Sequence, residues 1–208
     1  MFYEPKKGHP FTENPFNALV FPRPIGWIST FSKKGNVNLA PYSFFNAIAY
    51  EPPQVMFAAT AYHSQGGFKD SIANILATKE FVVNLATKKL RDKVNQSSIN
   101  APHSIDEFKL CNLKKRKSKI VRVPSVADSP VNLECRLLKK INLKTKYHNK
   151  NQNKLIIGEV VGIYIDNKFI KEGKINSIAM HAISRMGYTE YTEVYSKFLM
   201  TRPKWDQK

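Results

Sequence analysis

The sequence predicts a mainly β protein, a closed or partly closed β-barrel, on three observations. Short runs of β-branched and aromatic residues follow one another along the chain, only two stretches carry helical periodicity, and no glycine fingerprint of a doubly wound sheet occurs. Residues 25–31 and 37–45 are strand-forming and flank Ser32-Lys33-Lys34-Gly35-Asn36, a turn, so they form a β-hairpin. Glu51-Pro52-Pro53 cannot lie inside a sheet, and residues 54–59 make the next strand. The chain is then polar and glycine-containing from 60 to 68. Asp70 is the expected N-cap of a helix in which Ile72, Ile75 and Leu76 recur at helical spacing up to Thr78. Residues 81–85 form a strand, and Thr87 caps a second helix with Leu90 and Val94 on one face. From 100 to 130, prolines, charges and no sustained period predict an extended surface excursion. In residues 131–141 Val131, Leu133, Cys135, Leu137 and Ile141 alternate with Asn132, Glu134, Arg136 and Lys140, which predicts a strand with one wet face. Residues 155–165 are more continuously apolar, and Gly158 and Gly162 within them suit the bends of a strongly curved sheet.

The 208 residues are enough for one well-buried core and few for two, so one domain over 1–208 is expected. With 42% hydrophobic and 24% charged residues the composition is that of a folded globular chain and excludes a disordered one. No run approaches the roughly 18 apolar residues of a membrane helix, and the first sixteen residues carry prolines and charges where a signal peptide needs an apolar stretch. A cytoplasmic location without membrane contact is the expectation. Cys111 and Cys135 lie in no C-x-x-C pair and read as reduced thiols. The 33 Lys and Arg against 16 Asp and Glu leave a net charge of +17, which attracts nucleic acid, anionic membranes or phosphorylated ligands. The densest basic run, residues 113–119, lacks interleaved aromatics and reads as a solvated loop, and the Asn- and Lys-rich run at 147–154 reads as compositional bias.

Hydrolytic and metal chemistry find no support: there is no nucleophile elbow and no H-E-x-x-H. The five histidines, His9, His63, His103, His148 and His181, are scattered without ligand spacing, so no metal is expected. The hairpin is richer. Pro22-Arg23-Pro24-Ile25-Gly26-Trp27-Ile28-Ser29-Thr30 and Asn38-Leu39-Ala40-Pro41-Tyr42-Ser43-Phe44-Phe45-Asn46 bring hydroxyls, amides and rings onto paired strands, a mixture that suits a flat, polar-edged ring. On composition alone Ser43 and Asn46 could equally close turns while Phe44 and Phe45 fill the core, and spacing does not decide. At His63-Ser64-Gln65-Gly66-Gly67-Phe68-Lys69-Asp70-Ser71 a helix start, a lysine and a hydroxyl could make a phosphate site. An ordinary capped helix with a surface lysine would have the same residues, and the Asp70 carboxylate would repel a phosphate unless turned away.

At this point the sequence resembles the flavin reductase-like, FMN-binding split-barrel family that includes flavoredoxins and reductase components of two-component monooxygenases. The resemblance rests on the two hairpin segments above, Glu51-Pro52-Pro53, Lys69-Asp70-Ser71 with Asn74-Ile75, and Phe81-Val82-Val83-Asn84. It continues through Asp106-Glu107-Phe108, Ser129-Pro130, Leu133-Glu134-Cys135, Ile157-Gly158-Glu159-Val160 and Ser184-Arg185-Met186-Gly187 with Tyr191, about 14–191 in all, between terminal extensions. Each motif is weak alone; their order and spacing carry the assignment.

The resemblance implies a six-stranded Greek-key split β-barrel with a few accessory helices, a homodimer, and FMN near the subunit interface. Ser29, Thr30, Ser43, Phe44, Phe45 and Asn46 would border the isoalloxazine and ribityl chain, Lys69 and Ser71 would hold the phosphate, and Arg185 would approach from the C-terminal segment. The family's Arg-Leu-Gly-Gly is here Arg185-Met186-Gly187-Tyr188, and the loop up to Phe68 is longer than in relatives. No catalytic acid or base is implied, because the flavin carries its own hydride chemistry. The implied function is an NAD(P)H:flavin oxidoreductase, with NADH or NADPH as donor and a monooxygenase or other electron-acceptor protein as partner. The alternatives are a flavoredoxin-like FMN electron carrier without NAD(P)H activity and, remotely, a basic nucleic-acid-binding barrel.

Overall fold

A computed structural model describes residues 1–145 and 153–205, so the Asn- and Lys-rich run and His148 lie largely outside the described residues. After α1 (Phe16–Leu19) and β1 (Arg23–Pro24), the predicted hairpin forms from β2 (Gly26–Phe31) and β3 (Val37–Tyr42), in register from Gly26↔Tyr42 to Phe31↔Val37. The second arm stops at Tyr42 rather than running on to Phe45. The chain turns at Ser43 and Phe44, and a strand that sequence reasoning missed, β4 (Phe45–Tyr50), folds onto β5 (Pro53–Ala59). Pro53 opens β5, the first-residue position a strand tolerates in a proline. Next come α2 (Asp70–Thr78) and β6 (Glu80–Leu85), α3 (Arg91–Gln96) and α4 (Glu107–Leu110), and the bridge of β7 (Lys115–Arg116) with β8 (Ser125–Val126). The long strands β9 (Val131–Asn142) and β10 (Lys154–Ile165), the small pair β11 (Ile170–Lys171) and β12 (Lys174–Ile175), and finally β13 (Ile183–Arg185) and β14 (Tyr191–Glu193) complete the order.

Seven strands form one antiparallel sheet in the order β3-β2-β6-β9-β10-β5-β4. The sheet curls until its ends approach: the rings of Tyr42 on β3 and Phe57 on β5 lie 4.8 Å apart. Ile28, Phe57, Phe81 and Ile156 fill the interior, and the apolar face of α2, Ile72 and Ile75, closes it. Burying each such side chain contributes roughly 1.5–3 kcal/mol. The bends expected at Gly158 and Gly162 are register shifts in β10. A Cβ on Gly158 would stand 2.4 Å from Phe81 Cζ, so the glycine is there for the close approach of a core ring.

Two expectations are corrected. Residues 100–130 are not a surface excursion, because Phe108, Cys111, Leu113, Val121, Val123 and Val126 are buried and pack the segment onto the sheet. In consequence the polar face of β9 is dry in its first half. Glu134 Oε1 accepts the Lys119 N–H at 2.8 Å and Oε2 accepts those of Ile120 and Val121 at 2.7 and 3.0 Å; Asn132 Oδ1 accepts from Arg116. Burial alone would raise the Glu134 carboxyl, but those three N–H groups and Lys119 hold it below its ordinary value.

Candidate functional site

Where the sheet closes on itself, a cleft of about 210 Å³ opens between β3, β5, the start of α2 and residues 97–101. One end is the start of α2. Lys69, not Asp70, is the N-cap, and no side chain caps the helix. The amides of Ile72 and Ala73 both return to Lys69 O at 2.9 and 3.0 Å, which leaves the N–H groups of Asp70 and Ser71 without a helical acceptor. The Lys69 ammonium makes no ion pair or hydrogen bond among the described residues. Its neighbour Asp70 does not compete for it, because that carboxylate turns to His103 Nδ1 at 2.5 Å and faces His63 Nε2 at 3.7 Å.

The cleft floor is a buried polar network. Asn38 Nδ2 donates to Ser71 Oγ at 2.9 Å and to Thr30 Oγ1 at 3.3 Å, and Asn74 Nδ2 donates to the same Thr30 oxygen at 3.1 Å. Beside it Tyr42 is 7% exposed and its hydroxyl has no hydrogen bond of acceptable geometry, although Ser71 lies near enough to favour its ionisation. Burial outweighs that influence and pushes the phenol up to about 12, so at neutral pH it is a donor. Glu107 also lines the cleft. Burial raises its carboxyl, although Oε2 accepts the Leu39 N–H at 2.9 Å.

Of the residues singled out from the sequence, Ser43, Phe44, Lys69 and Ser71 line this one cleft. Arg185 does not; it lies in an adjoining cavity with Arg23 and Tyr188, and Ser43 and Phe44 border both cavities. Arg185 donates to Tyr191 Oη and Tyr188 O and sits over the Tyr191 ring at 4.6 Å. Thr30 is fully buried behind the cleft as the acceptor of two amides. Ser29 points to the other face of β2, where Oγ donates to Pro124 O at 2.7 Å and accepts from Asn84. Phe45 packs against the core, and Asn46 is exposed on β4 with Oδ1 accepting the Ala47 N–H. Sequence reasoning missed Tyr42, Glu107 and residues 97–101. Glu107 and 97–101 reach the cleft from far along the chain, and the Tyr42 hydroxyl is distinguished only by its lack of a partner. It also read the histidines as scattered, whereas the His63 and His103 rings stack with centroids 3.7 Å apart.

A curled antiparallel sheet with a lateral cleft defines the class as a split barrel. Residues 18–182 match the family described as "Flavin reductase like domain", and the chain belongs to that family. An uncharacterised protein of Aquifex aeolicus is 33% identical over 181 residues, 86% of this chain and 88% of its own. Among solved structures, nitrilotriacetate monooxygenase component B from Bacillus cereus superposes with a TM-score of 0.87 at 26% identity, covering 96% of this chain and 98% of that one. Flavoredoxin of Desulfovibrio vulgaris (Miyazaki F) superposes with a TM-score of 0.73 at 16% identity, covering 88% and 91%.

Proposed function

We propose that the protein binds FMN in this cleft and reduces it at the expense of NADH or NADPH, as a flavin reductase serving an electron-accepting partner. The observation that carries the reading is the meeting, in one cleft, of an ammonium and a buried hydroxyl that have no partner among the described residues with two open N–H groups at a helix start. A phosphate ester satisfies all of them at once, and the residues present therefore fit the group. Lys69, Ser71 and the α2 amides hold the phosphate, with the Tyr42 hydroxyl directed to the same end. Ser43 and Phe44 border the ring and Arg185 approaches from the adjoining cavity, while Phe45 anchors that turn on the core and Asn46 stays outside the cleft on β4. Thr30 acts through Asn38, which it holds against Ser71, while Ser29 secures the strand on its far face. When bound, the flavin supplies the hydride chemistry, so the chain needs only to orient it and leave one face open to nicotinamide.

Purified protein saturated with FMN tests the reading. Anaerobic addition of NADH or NADPH is expected to bleach the flavin band faster than it bleaches free FMN. Flavin binding without acceleration by either nicotinamide would replace the reductase by an electron carrier. Failure to bind any flavin, with salt-sensitive binding to single-stranded nucleic acid, would favour the basic-barrel alternative.

A further inference from the structure

His63 and Asp70 line the cleft at the start of α2, and His103, outside the lining, stacks on the first and bonds the second, in a cluster whose hydrogen bonds assign its protons. His63 Nε2 lies 2.9 Å from Ala101 O, a group that only accepts, and His63 Nδ1 accepts the Gln65 N–H at 3.1 Å. His63 is therefore the neutral imidazole with its hydrogen on Nε2, and a second proton would cost it the Gln65 bond. His103 differs. Its Nδ1 lies 2.5 Å from Asp70 Oδ1 and donates to it, its Nε2 has no partner among the described residues, and its side chain is 46% exposed. It can take a proton at Nε2 without breaking any hydrogen bond. The resulting imidazolium would pair with Asp70 and lie 3.7 Å over the face of a neutral ring, a favourable stack. The two rings are within 20° of parallel, so their in-plane lone pairs do not converge on a single metal ion.

The charge around the cleft gives that proton a role. Lys69 is the ammonium in the cleft wall at the helix start, Asp70 and Glu107 are carboxyl groups lining the same cleft, and His63 and Tyr42 are neutral. A phosphate dianion arriving beside Asp70 meets one full positive charge and at least one negative one. We propose that His103 is the proton-binding site that makes up the deficit, so that binding of a phosphate dianion in the cleft is coupled to uptake of a solvent proton at His103 Nε2. The inference rests on the phosphate reading of the cleft, and it gives Asp70 a function there: the carboxylate is the anchor that keeps the imidazolium at the site while Lys69 stays free for the ligand.

Calorimetric titration of the full chain with FMN at pH 7, in two buffers of different ionisation enthalpy, counts the protons. An imidazole whose proton affinity rises tenfold on binding takes up about half a proton near neutrality. By linkage the FMN dissociation constant then rises about 2.5-fold from pH 7 to pH 8. Riboflavin, which lacks the phosphate, is expected to bind with no proton uptake and no such slope. His103→Asn keeps an N–H donor at the δ position for Asp70 but cannot titrate, so it should still bind FMN while losing both the proton uptake and the pH slope. Uptake that persists in H103N would move the proton to another group, and FMN binding with no uptake in the unaltered protein, a measurement that needs no variant, would also overturn the proposal. Failure of both flavins to bind overturns the functional reading, which separates that outcome from binding of FMN without a proton.

Discussion

Two side chains at the cleft carry opposite kinds of free energy, and substitution separates them. Among the described residues the Lys69 ammonium has no partner to lose, so Lys69→Ala should leave thermal stability unchanged. A charge-assisted hydrogen bond is worth about 1.5–3 kcal/mol, which predicts a 10- to 100-fold rise in the FMN dissociation constant with that of riboflavin nearly constant, measured by flavin fluorescence. Equal loss for both ligands would place the phosphate elsewhere. Tyr42 is the reverse case, since its buried hydroxyl is an unmet donor in the free protein. Tyr42→Phe should hold or raise the melting temperature while weakening FMN by about fivefold, the worth of roughly 1 kcal/mol. A clear drop in melting temperature would show that the hydroxyl already had a partner.

The segment between α3 and β9 covers polar strand residues, so its docking depends on Glu134. Three backbone N–H groups of residues 119–121 end on that one carboxylate. Glu134→Ala would strand them against β9 and is expected to cost about 2–4 kcal/mol, visible in urea unfolding. Because the carboxyl is held below its ordinary value, its stabilisation is present above the unfolded carboxyl's value, about 4.3, and is lost as pH falls through the lower folded value. The acid limb of the unfolding profile should therefore flatten in the alanine variant. If the two proteins have parallel acid limbs, the three hydrogen bonds are not what titrates.

At the scale of the whole molecule, apolar surface lies where the fold does not cover it. On the outer strand β4, Tyr50 is 88% exposed, and beyond β14 Tyr195, Phe198 and Leu199 are 72%, 82% and 92% exposed. A second copy is the occupant we propose for these faces. Light scattering of the flavin-saturated protein at micromolar concentration should give twice the chain mass; a monomer would remove both the dimer and any interface role for Arg185. Among the described residues no helix is long and apolar enough to cross a membrane. If the cleft takes FMN as proposed, the +17 charge would draw it in at longer range, and added salt should weaken that attraction.

By itself the sequence determined the elements whose signal is local. The hairpin of β2 and β3, the helix from Asp70 to Thr78, the long strands β9 and β10 and the bends at Gly158 and Gly162 follow from periodicity and turn chemistry acting within a few residues. Four expected contacts, Ser43, Phe44, Lys69 and Ser71, could be named only through the family resemblance that the ordered motifs carry together, and the structure gathers them into one cleft. Tertiary structure alone decided what comes from far along the chain. The turn at Ser43 and Phe44 that starts β4, the burial of residues 100–130, the dry face of β9 and the stacking of His63 on His103 are invisible to any local pattern. The reason is common to all of them: a polar residue reads as solvated until the fold brings it a partner, and only long-range packing decides whether Glu134, Thr30 or Asp70 meets water or an N–H group.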